Sequence, residues 1–413
     1  MGAYDPNPTF SIDSQDFTSQ TINSISSTLG RSTVDEQPRA GYCTVNLVVT
    51  DGSYPAIQLN QPGHVTINDK NGAPTRVFTG YVTDVVRSIA ASGSTGTTYA
   101  ISVTMIGPLA RLSRILTEST YPKQFDGDRI EAIVTDFVTT SWDEVAPSLK
   151  WSAVPATKTW ETYDPGFVGV IDTPGSYEVT AYAGGQTNAL THASDVANSA
   201  LGVLWEDQNG NLNYSDAASR INDVAQNGYL TLDASLISPT GLVVTSVTAD
   251  LINSMTLSYK NNATKTGEDA ESIATYGRFD ARRNTLLENG TDAQAQLDKF
   301  LSTRSYPRQT LKAVTIPLHN PAMDDTFRDD LIQAYMGRPI SIPNLPSAIY
   351  GEEFRGFIEG GTMAVTRHTA FLTLQISEYG LSEIQEAWLQ VPAAERWNTL
   401  SSSLKWEDAE VVA

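Results

Sequence analysis

Residues 63–107 read GHVTINDKNGAPTRVFTGYVTDVVRSIAASGSTGTTYAISVTMIG, and this stretch determines the fold class of the chain. Apolar residues recur at every second position in three segments, and this alternation places one face of a β-strand inward. Turn-forming polar residues and glycines separate the three segments. The stretch therefore predicts three antiparallel strands joined by turn-rich connections.

The same pattern returns in residues 337–380, which contain GRPISIP, EFRGFIEGG and AFLTLQISEYG in that order. In both stretches a phenylalanine lies two positions before a glycine, Phe78 before Gly80 and Phe354 before Gly356. This duplication predicts two related small β-barrels in one chain. The sequence alignment pairs Gly63 with Gly337, Val65 with Ile340, Ile67 with Ile342, Ile101 with Leu372, Val103 with Leu374, Met105 with Ile376, Val45 with Val314, Leu47 with Ile316 and Val49 with Leu318.

Size and composition indicate a globular protein of several domains. A chain of 413 residues is too long for one hydrophobic core. Its formal net charge of −20, with no basic run, disfavours nucleic acid or an anionic membrane surface as a partner. Cys43 is the only cysteine, so neither an intrachain disulfide nor a cysteine metal site is predicted. The first residues lack signal-peptide features and no apolar run would span a membrane, so we expect folding in a reducing cytoplasm.

Helices and a hairpin are predicted between the two β-rich stretches. Asn209-Gly210 predicts the turn of a hairpin over residues 203–214, because both central positions of such a turn need positive φ. Ile22, Ile25 and Leu29 have helical spacing, and residues 261–272 are predicted to form a polar loop. Apolar stripes and breakers predict helical segments over Asp128–Trp142, Thr187–Leu201, Thr291–Arg304 and Asp324–Met336, and Leu109–Leu116 is predicted to be a short helical or turn segment.

Together these patterns predict a β-rich α+β multidomain protein. Two related small β-barrels flank an α/β middle region, and an extended arm follows the second barrel. The predicted units are residues 1–118 for the first barrel, 119–240 for the middle region with its Trp-containing linker, 241–310 for connecting strands and a helix, 311–382 for the second barrel and 383–413 for the Trp-rich arm.

Six of the seven tryptophans form two triplets with a period of nine residues. Nine residues turn an α-helix through about 900°, so successive tryptophans would face opposite ways and a helical stripe is disfavoured. Compact turns that each place one tryptophan in a groove fit the period better, either on the protein's own domains or on a partner. The triplets are Trp142, Trp151 and Trp160, and Trp388, Trp397 and Trp406, of which the second is the candidate docking site.

The sequence contains no motif for catalysis, a cofactor or a metal. The four histidines, His64, His192, His319 and His368, form no HxH or HxxxH pair. Cys43 lies in a strand pattern, where a buried thiol is expected. Residues 207–211 resemble a calcium loop only superficially, and a hairpin turn explains them better. A glycosidase carboxylate pair has no sequence motif, so that possibility stays open. We expect a structural protein rather than an enzyme.

The arrangement of two barrels around an α/β middle resembles the hub proteins of phage tail tips and baseplates, in particular minor tail proteins of actinobacterial phages. The resemblance implies a homotrimer whose six barrels join a sixfold tail tube or distal-tail ring to a threefold tip. It also implies tape-measure or other minor tail proteins as partners, and a place at the virion tail tip after assembly in the host cytoplasm. The residues that support it are Gly30-Arg31, Gln37-Pro38, Gly41, Phe78-Thr79-Gly80, Gly107-Pro108-Leu109, Tyr276-Gly277-Arg278, Ala293–Leu301, Tyr306-Pro307, Gly337 and Phe354-Arg355-Gly356.

The main alternative is an extracellular carbohydrate-binding or adhesin module, in which exposed tryptophans would stack on sugars. The absence of a recognisable signal peptide favours the hub interpretation over this one. In either case we expect function to lie at the outer edges of the duplicated β-structure rather than in a pocket.

Overall fold

The computed structural model describes residues 4–13, 15–18, 20–51, 55–93, 96–117, 119–138, 168–246, 250–347 and 353–379. The first strands alternate buried and accessible residues, as in Tyr42–Val49, because every second side chain points into the core. We call this group of seven strands the first β-block. Its strands are β1 Thr9–Ile12, β2 Gln15–Phe17, β3 Ile22–Gly30, β4 Tyr42–Val49, β5 Pro62–Asn68, β6 Pro74–Gly93 and β7 Gly96–Ile106.

The middle region has its own core of helices and short strands. Asn188 caps one helix by accepting a hydrogen bond from the Thr191 N–H group. The predicted hairpin is present, and Asp207 fixes its turn by accepting from the N–H groups of Asn209 and Asn211. The elements are α1 Leu109–Leu112, β8 Leu116–Thr117, β9 Gln124–Phe125, α2 Asp126–Val138, β10 Val168–Ile171, β11 Glu178–Val179, β12 Thr187–Asn188, α3 Ala189–Ser199, β13 Val203–Glu206, β14 Leu212–Ser215 and α4 Ser219–Asn227.

The rest of the described chain contains the second set of duplicated strands and a small connecting unit. The connecting unit packs one helix on a three-stranded sheet around Leu257, Leu297 and Phe300. The elements are β15 Leu230–Thr231, β16 Val243–Ser246, β17 Ser254–Tyr259, β18 Ala263–Glu268, α5 Ala270–Tyr276, β19 Asp280–Asn284, α6 Gly290–Arg304, β20 Gln309–Pro317, α7 Asp325–Ile332, β21 Pro339–Pro343, β22 Glu353–Val365 and β23 Ala370–Glu378. We call β15, β16 and β20 to β23 the second β-block.

The two β-blocks form one continuous sheet. The strand order is β16-β20-β23-β22-β3-β4-β7-β6-β5-β1-β2, with β21 beside β22 and β15 beside β21. The blocks meet where β22 pairs antiparallel with β3, from Gly360 opposite Gly30 to Val365 opposite Ile25. One hydrophobic cluster extends through both blocks. The β-rich α+β fold class is therefore confirmed, and the edge-to-edge junction is a feature that the sequence did not predict.

Two local predictions need correction. The helical spacing of Ile22, Ile25 and Leu29 is misleading, because these residues lie in strand β3. The predicted polar loop at 261–272 instead contains strand β18 and the start of helix α5. A bulge between Ile22 and Ser24 puts the buried Ile22 and Ile25 three residues apart on one face of β3, and β18 is a polar strand with no buried residue, so neither strand shows a simple alternation.

The duplication is present, but its first strand was aligned two residues out of register. Phe78 pairs with Val65 in the first block, whereas Phe354 pairs with Ile342 in the second. Val65 therefore corresponds to Ile342 and not to Ile340. The equivalent of Gly337 is Asn60 rather than Gly63. The N–H groups of Asn60 and Gly337 donate to the equivalent carbonyls of Val82 and Ile358, at 2.7 Å in both cases.

Candidate functional site

The junction of the two β-blocks is built on glycines. Gly30 ends β3 with φ of +83°, and its Cα hydrogens face the backbone of Glu359 and Gly360. A Cβ at Gly30 would lie 2.4 Å from the Glu359 carbonyl oxygen, closer than any side chain tolerates. The Arg31 N–H group donates to that same carbonyl at 2.9 Å. This close crossing explains why glycine and arginine stand together at positions 30 and 31.

A buried ionic cluster holds the same junction. Glu359 is 1% exposed and accepts from Arg31 Nε at 2.6 Å. It also accepts from both terminal nitrogens of Arg220, at 2.7 and 2.9 Å. Burial alone would raise the pKa of Glu359, but the two guanidinium groups outweigh burial and hold the pKa well below its usual range. Arg31 follows β3, Glu359 lies in β22 and Arg220 lies in α4, so one carboxylate links both β-blocks to the middle region.

A second buried carboxylate joins the middle region to the first β-block. Glu206, at the end of β13, is 4% exposed and accepts from the backbone N–H groups of Gly41 and Leu109. A Cβ at Gly107 would lie 1.9 Å from Glu206 Oε1, and a Cβ at Gly41 would lie 2.6 Å from it. Both glycines thus leave room for this carboxylate, which explains why glycine stands immediately before β4 and immediately after β7.

Glu206 is expected to make stability fall as the pH rises towards neutrality. Burial raises the pKa of this carboxyl to about 7, although its two N–H donors lower it. An unfolded glutamate ionises near 4.5, so the folded chain keeps an extra proton between these two pH values. We expect the contribution of Glu206 to the free energy of unfolding to drop over this interval by on the order of 3 kcal/mol.

Urea unfolding at several pH values between about 5 and 8 measures this drop. Below about pH 6.5 two other groups contribute: burial raises the pKa of Asp126 to about 6, which adds to the decrease, and lowers the pKa of His192 to about 4, which opposes it. The contribution of Glu206 is therefore read as the difference between the wild-type and Glu206→Gln curves. In Glu206→Gln the part above about pH 6 should disappear, because the neutral amide does not titrate. The exposed Glu131 provides the control Glu131→Gln, which should keep the full slope. An unchanged slope in Glu206→Gln would contradict the assignment.

The continuous sheet has one apolar and one hydroxyl-rich face. Across the junction Thr28 lies opposite Thr362, with their hydroxyl oxygens 3.1 Å apart, and Thr315 and Thr373 are 3.0 Å apart in the second block. Near the junction, in β3, β4, β7, β23, the β23-paired part of β20 and the Gly360–Val365 part of β22, this face presents uncharged residues, whereas Arg355 lies on the same side of β22 beside β21. Its polar members are Ser24, Ser26, Thr28, Thr44, Asn46, Ser102, Thr104, Thr315, Thr362, Thr373 and Gln375.

Two clefts flank Trp205, with volumes of about 660 and 800 Å³. Trp205 and Tyr335 stack with ring centroids 6.3 Å apart and line both clefts. Each of the three carboxylates that line the larger cleft accepts from a hydroxyl of the chain, Asp172 from Ser219, Asp216 from Ser176 and Asp223 from Tyr335. No group of three or more potential metal ligands was found among the described residues.

The histidines and the cysteine are dispersed. His192 packs against the rings of Tyr121 and Tyr182, and burial together with nearby Arg129 lowers its pKa to about 4. Cys43 is fully buried, and burial raises the pKa of its thiol, so it is the inert thiol that the sequence predicts. His64 lies in β5, His319 Nδ1 is 3.1 Å from the Ala370 carbonyl and His368 lies in an exposed turn.

Trp388, Trp397 and Trp406, the predicted docking residues, lie outside the described residues, as do Trp142, Trp151 and Trp160. The structure therefore does not test the tryptophan prediction. The buried residues Glu359, Glu206 and Arg220 were missed by sequence reasoning, although their neighbours Gly30-Arg31, Gly41 and Gly107 were identified.

Comparison with known proteins relates the chain to phage tails by fold alone. No protein-family model and no curated protein matches its sequence. No described helix is both long and apolar enough to cross a membrane. The 43 kDa tail protein of prophage MuSo2 from Shewanella oneidensis matches with a TM-score of 0.59 at 13% identity, covering 92% of this chain and 98% of that one. A tail protein from Neisseria meningitidis matches with a TM-score of 0.59 at 12% identity over the same shares. Over nearly its whole length, the chain is therefore similar in fold to these two tail proteins.

Proposed function

We propose that this protein is a structural component of a phage-type tail, the hub of a tail tip or baseplate. The observation that supports this function is the duplicated β-block, with its two copies joined edge to edge in one chain. Three chains would supply six similar blocks, which matches a threefold tip to a sixfold tail tube or distal-tail ring. The similarity in fold to two tail proteins supports the same assignment.

The hydroxyl-rich face of the sheet fits the wall of a central channel. Near the junction its strands offer uncharged side chains such as Thr28 and Thr362, which do not bind phosphates as guanidinium or ammonium groups do. Nucleic acid could pass such a wall without being held. The opposite, apolar face is already covered by the core of the protein.

The Trp-rich arm completes the proposal. Trp388, Trp397 and Trp406 would anchor tape-measure or other minor tail proteins, since tryptophan is enriched among the residues that dominate interfaces. In this proposal the protein has no catalytic role and resides in the virion tail after assembly in the host cytoplasm.

Light scattering coupled to size-exclusion chromatography tests the proposal, with a mass of three chains expected. Removing residues 386–413 should leave the oligomer at three chains. The same truncation should abolish co-purification with the tape-measure or other minor tail protein that binds the arm. A strictly monomeric protein with affinity for glycans would overturn the hub assignment in favour of an adhesin. Unchanged partner binding after truncation would overturn the role of the arm.

A further inference from the structure

The duplicated blocks use one strand edge differently. In the second block the outer edge of β22, from Gly360 to Val365, pairs with β3. The equivalent part of the first block is Asp84–Ile89 of β6, because Val85 lies opposite Val103 as Gly361 lies opposite Leu374. In the described part of the chain, this length of β6 has a strand partner only on its β7 side.

The opposite edge shows the reverse arrangement. Strand β16 pairs with β20 as β3 pairs with β4, so β16 is the second-block equivalent of β3. Thr245 occupies the position of Thr28 in this correspondence. Whereas β3 uses its second edge to bind β22, β16 is the last strand of the sheet among the described residues. Among the described strands, each chain therefore has one β3-like edge and one β22-like edge without a strand partner.

The exposed apolar side chains of β6 indicate that a partner covers the edge of this strand. Val86 is 65% exposed and Ile89 is 64% exposed, both in the segment equivalent to the paired part of β22. Soluble proteins protect open edges with charges, prolines or bulges, because an open edge with β-branched residues pairs with another strand. The segment also carries the charged residues Asp84 and Arg87 and is followed by a bulge after Ile89, so its edge is only partly protected. The two exposed β-branched residues between these features fit a surface that is covered in the assembly.

We propose that a second copy of this chain covers that edge, with β16 of one copy antiparallel to β6 of the next. The register follows the junction within one chain: Thr28 opposite Thr362 becomes Thr245 opposite Val86 of the neighbour. This contact is heterologous, so each copy uses one edge of each kind and a ring leaves neither unpaired. The inference rests on the proposed function and adds the strands and the register through which the ring closes.

Cysteine cross-linking tests the register. The only natural cysteine, Cys43, is fully buried and inert, so introduced thiols react without background. Under oxidation, Val86→Cys combined with Thr245→Cys should give covalent oligomers up to the closed ring. Thr28→Cys with Thr362→Cys is the matched positive control and should cross-link within one chain. Ser88→Cys with Thr245→Cys should cross-link at least tenfold less, because diagonal neighbours lie about 7–8 Å apart, beyond the reach of a disulfide.

The outcomes separate this inference from the proposed function. Trimers that form without the Val86–Thr245 cross-link would overturn the edge pairing and leave the hub assignment intact. Cross-linked ladders that extend beyond three chains would support the edge pairing and overturn the closed threefold ring. Val86→Lys provides an independent measurement, since residue 86 is exposed in the single chain and its substitution should leave the monomer folded. It should weaken association at least tenfold, and unchanged association would count against the interface.

Discussion

Glu359→Gln is expected to lower the free energy of unfolding by about 3–5 kcal/mol, because it leaves two buried guanidinium groups without their carboxylate. The substitution keeps the shape of the side chain and removes its charge. Arg31 and Arg220 would then keep buried guanidinium groups, at 5% and 9% side-chain exposure, without their carboxylate. Removing one member of a buried ionic cluster is costly because the remaining charges stay desolvated.

Urea denaturation of the whole chain measures this loss, read at the first unfolding transition, since a chain with several cores need not unfold in one step. Glu36→Gln is the matched control, because Glu36 and its partner Arg39 are 51% and 86% exposed and 3.7 Å apart. This exposed pair should contribute less than about 1 kcal/mol. Equal losses in the two variants would show that Glu359 does not hold the junction.

The sequence is informative about the strands because alternation is a local property. The three strands of residues 63–107 and the hairpin at Asn209-Gly210 lie where the pattern places them. The error in aligning the repeat has a physical cause. Matching Gly63 to Gly337 pairs two glycines, but the left-handed conformation at this position is adopted by Asn60 in one block and Gly337 in the other, with φ of +65° and +89°. Asparagine also adopts that conformation, so matching glycine to glycine misaligns the two repeats.

The junction could not be predicted in the same way. Arg31 and Glu359 are 328 residues apart in sequence. The sequence alone does not distinguish a charged residue that is buried from one that is exposed. The glycines gave the available signal, because Gly30, Gly41 and Gly107 each lie where another chain segment approaches closely. What they contact depends on tertiary packing. The edges β6 and β16 likewise became recognisable only once the pairing of β3 with β22 was known.

Gly30→Ala is the second substitution with a large expected effect, a loss of about 4 kcal/mol or more in the free energy of unfolding. Two causes add. The φ of +83° at Gly30 disfavours any residue with a Cβ, by about 1–2 kcal/mol. The new methyl group would also lie 2.4 Å from the Glu359 carbonyl oxygen and 2.5 Å from the Gly360 Cα, and both are backbone atoms. The alanine therefore fits only if β3 and β22 move apart, which breaks the junction of the two β-blocks.

Gly72→Ala separates these two causes, because Gly72 has a similar φ of +77° and no atom within 4 Å of an added Cβ. In the same urea measurement, Gly72→Ala should lower the free energy of unfolding only by the cost of the positive φ, about 1–2 kcal/mol. If Gly30→Ala does not fold, Gly360→Ala probes the same crossing without a positive φ, since its Cβ would lie 2.5 Å from the Leu29 carbonyl oxygen. Similar losses for Gly30→Ala and Gly72→Ala would mean that the two strands can separate at little cost. The blocks would then be joined by the Glu359 cluster rather than by the close approach of their backbones.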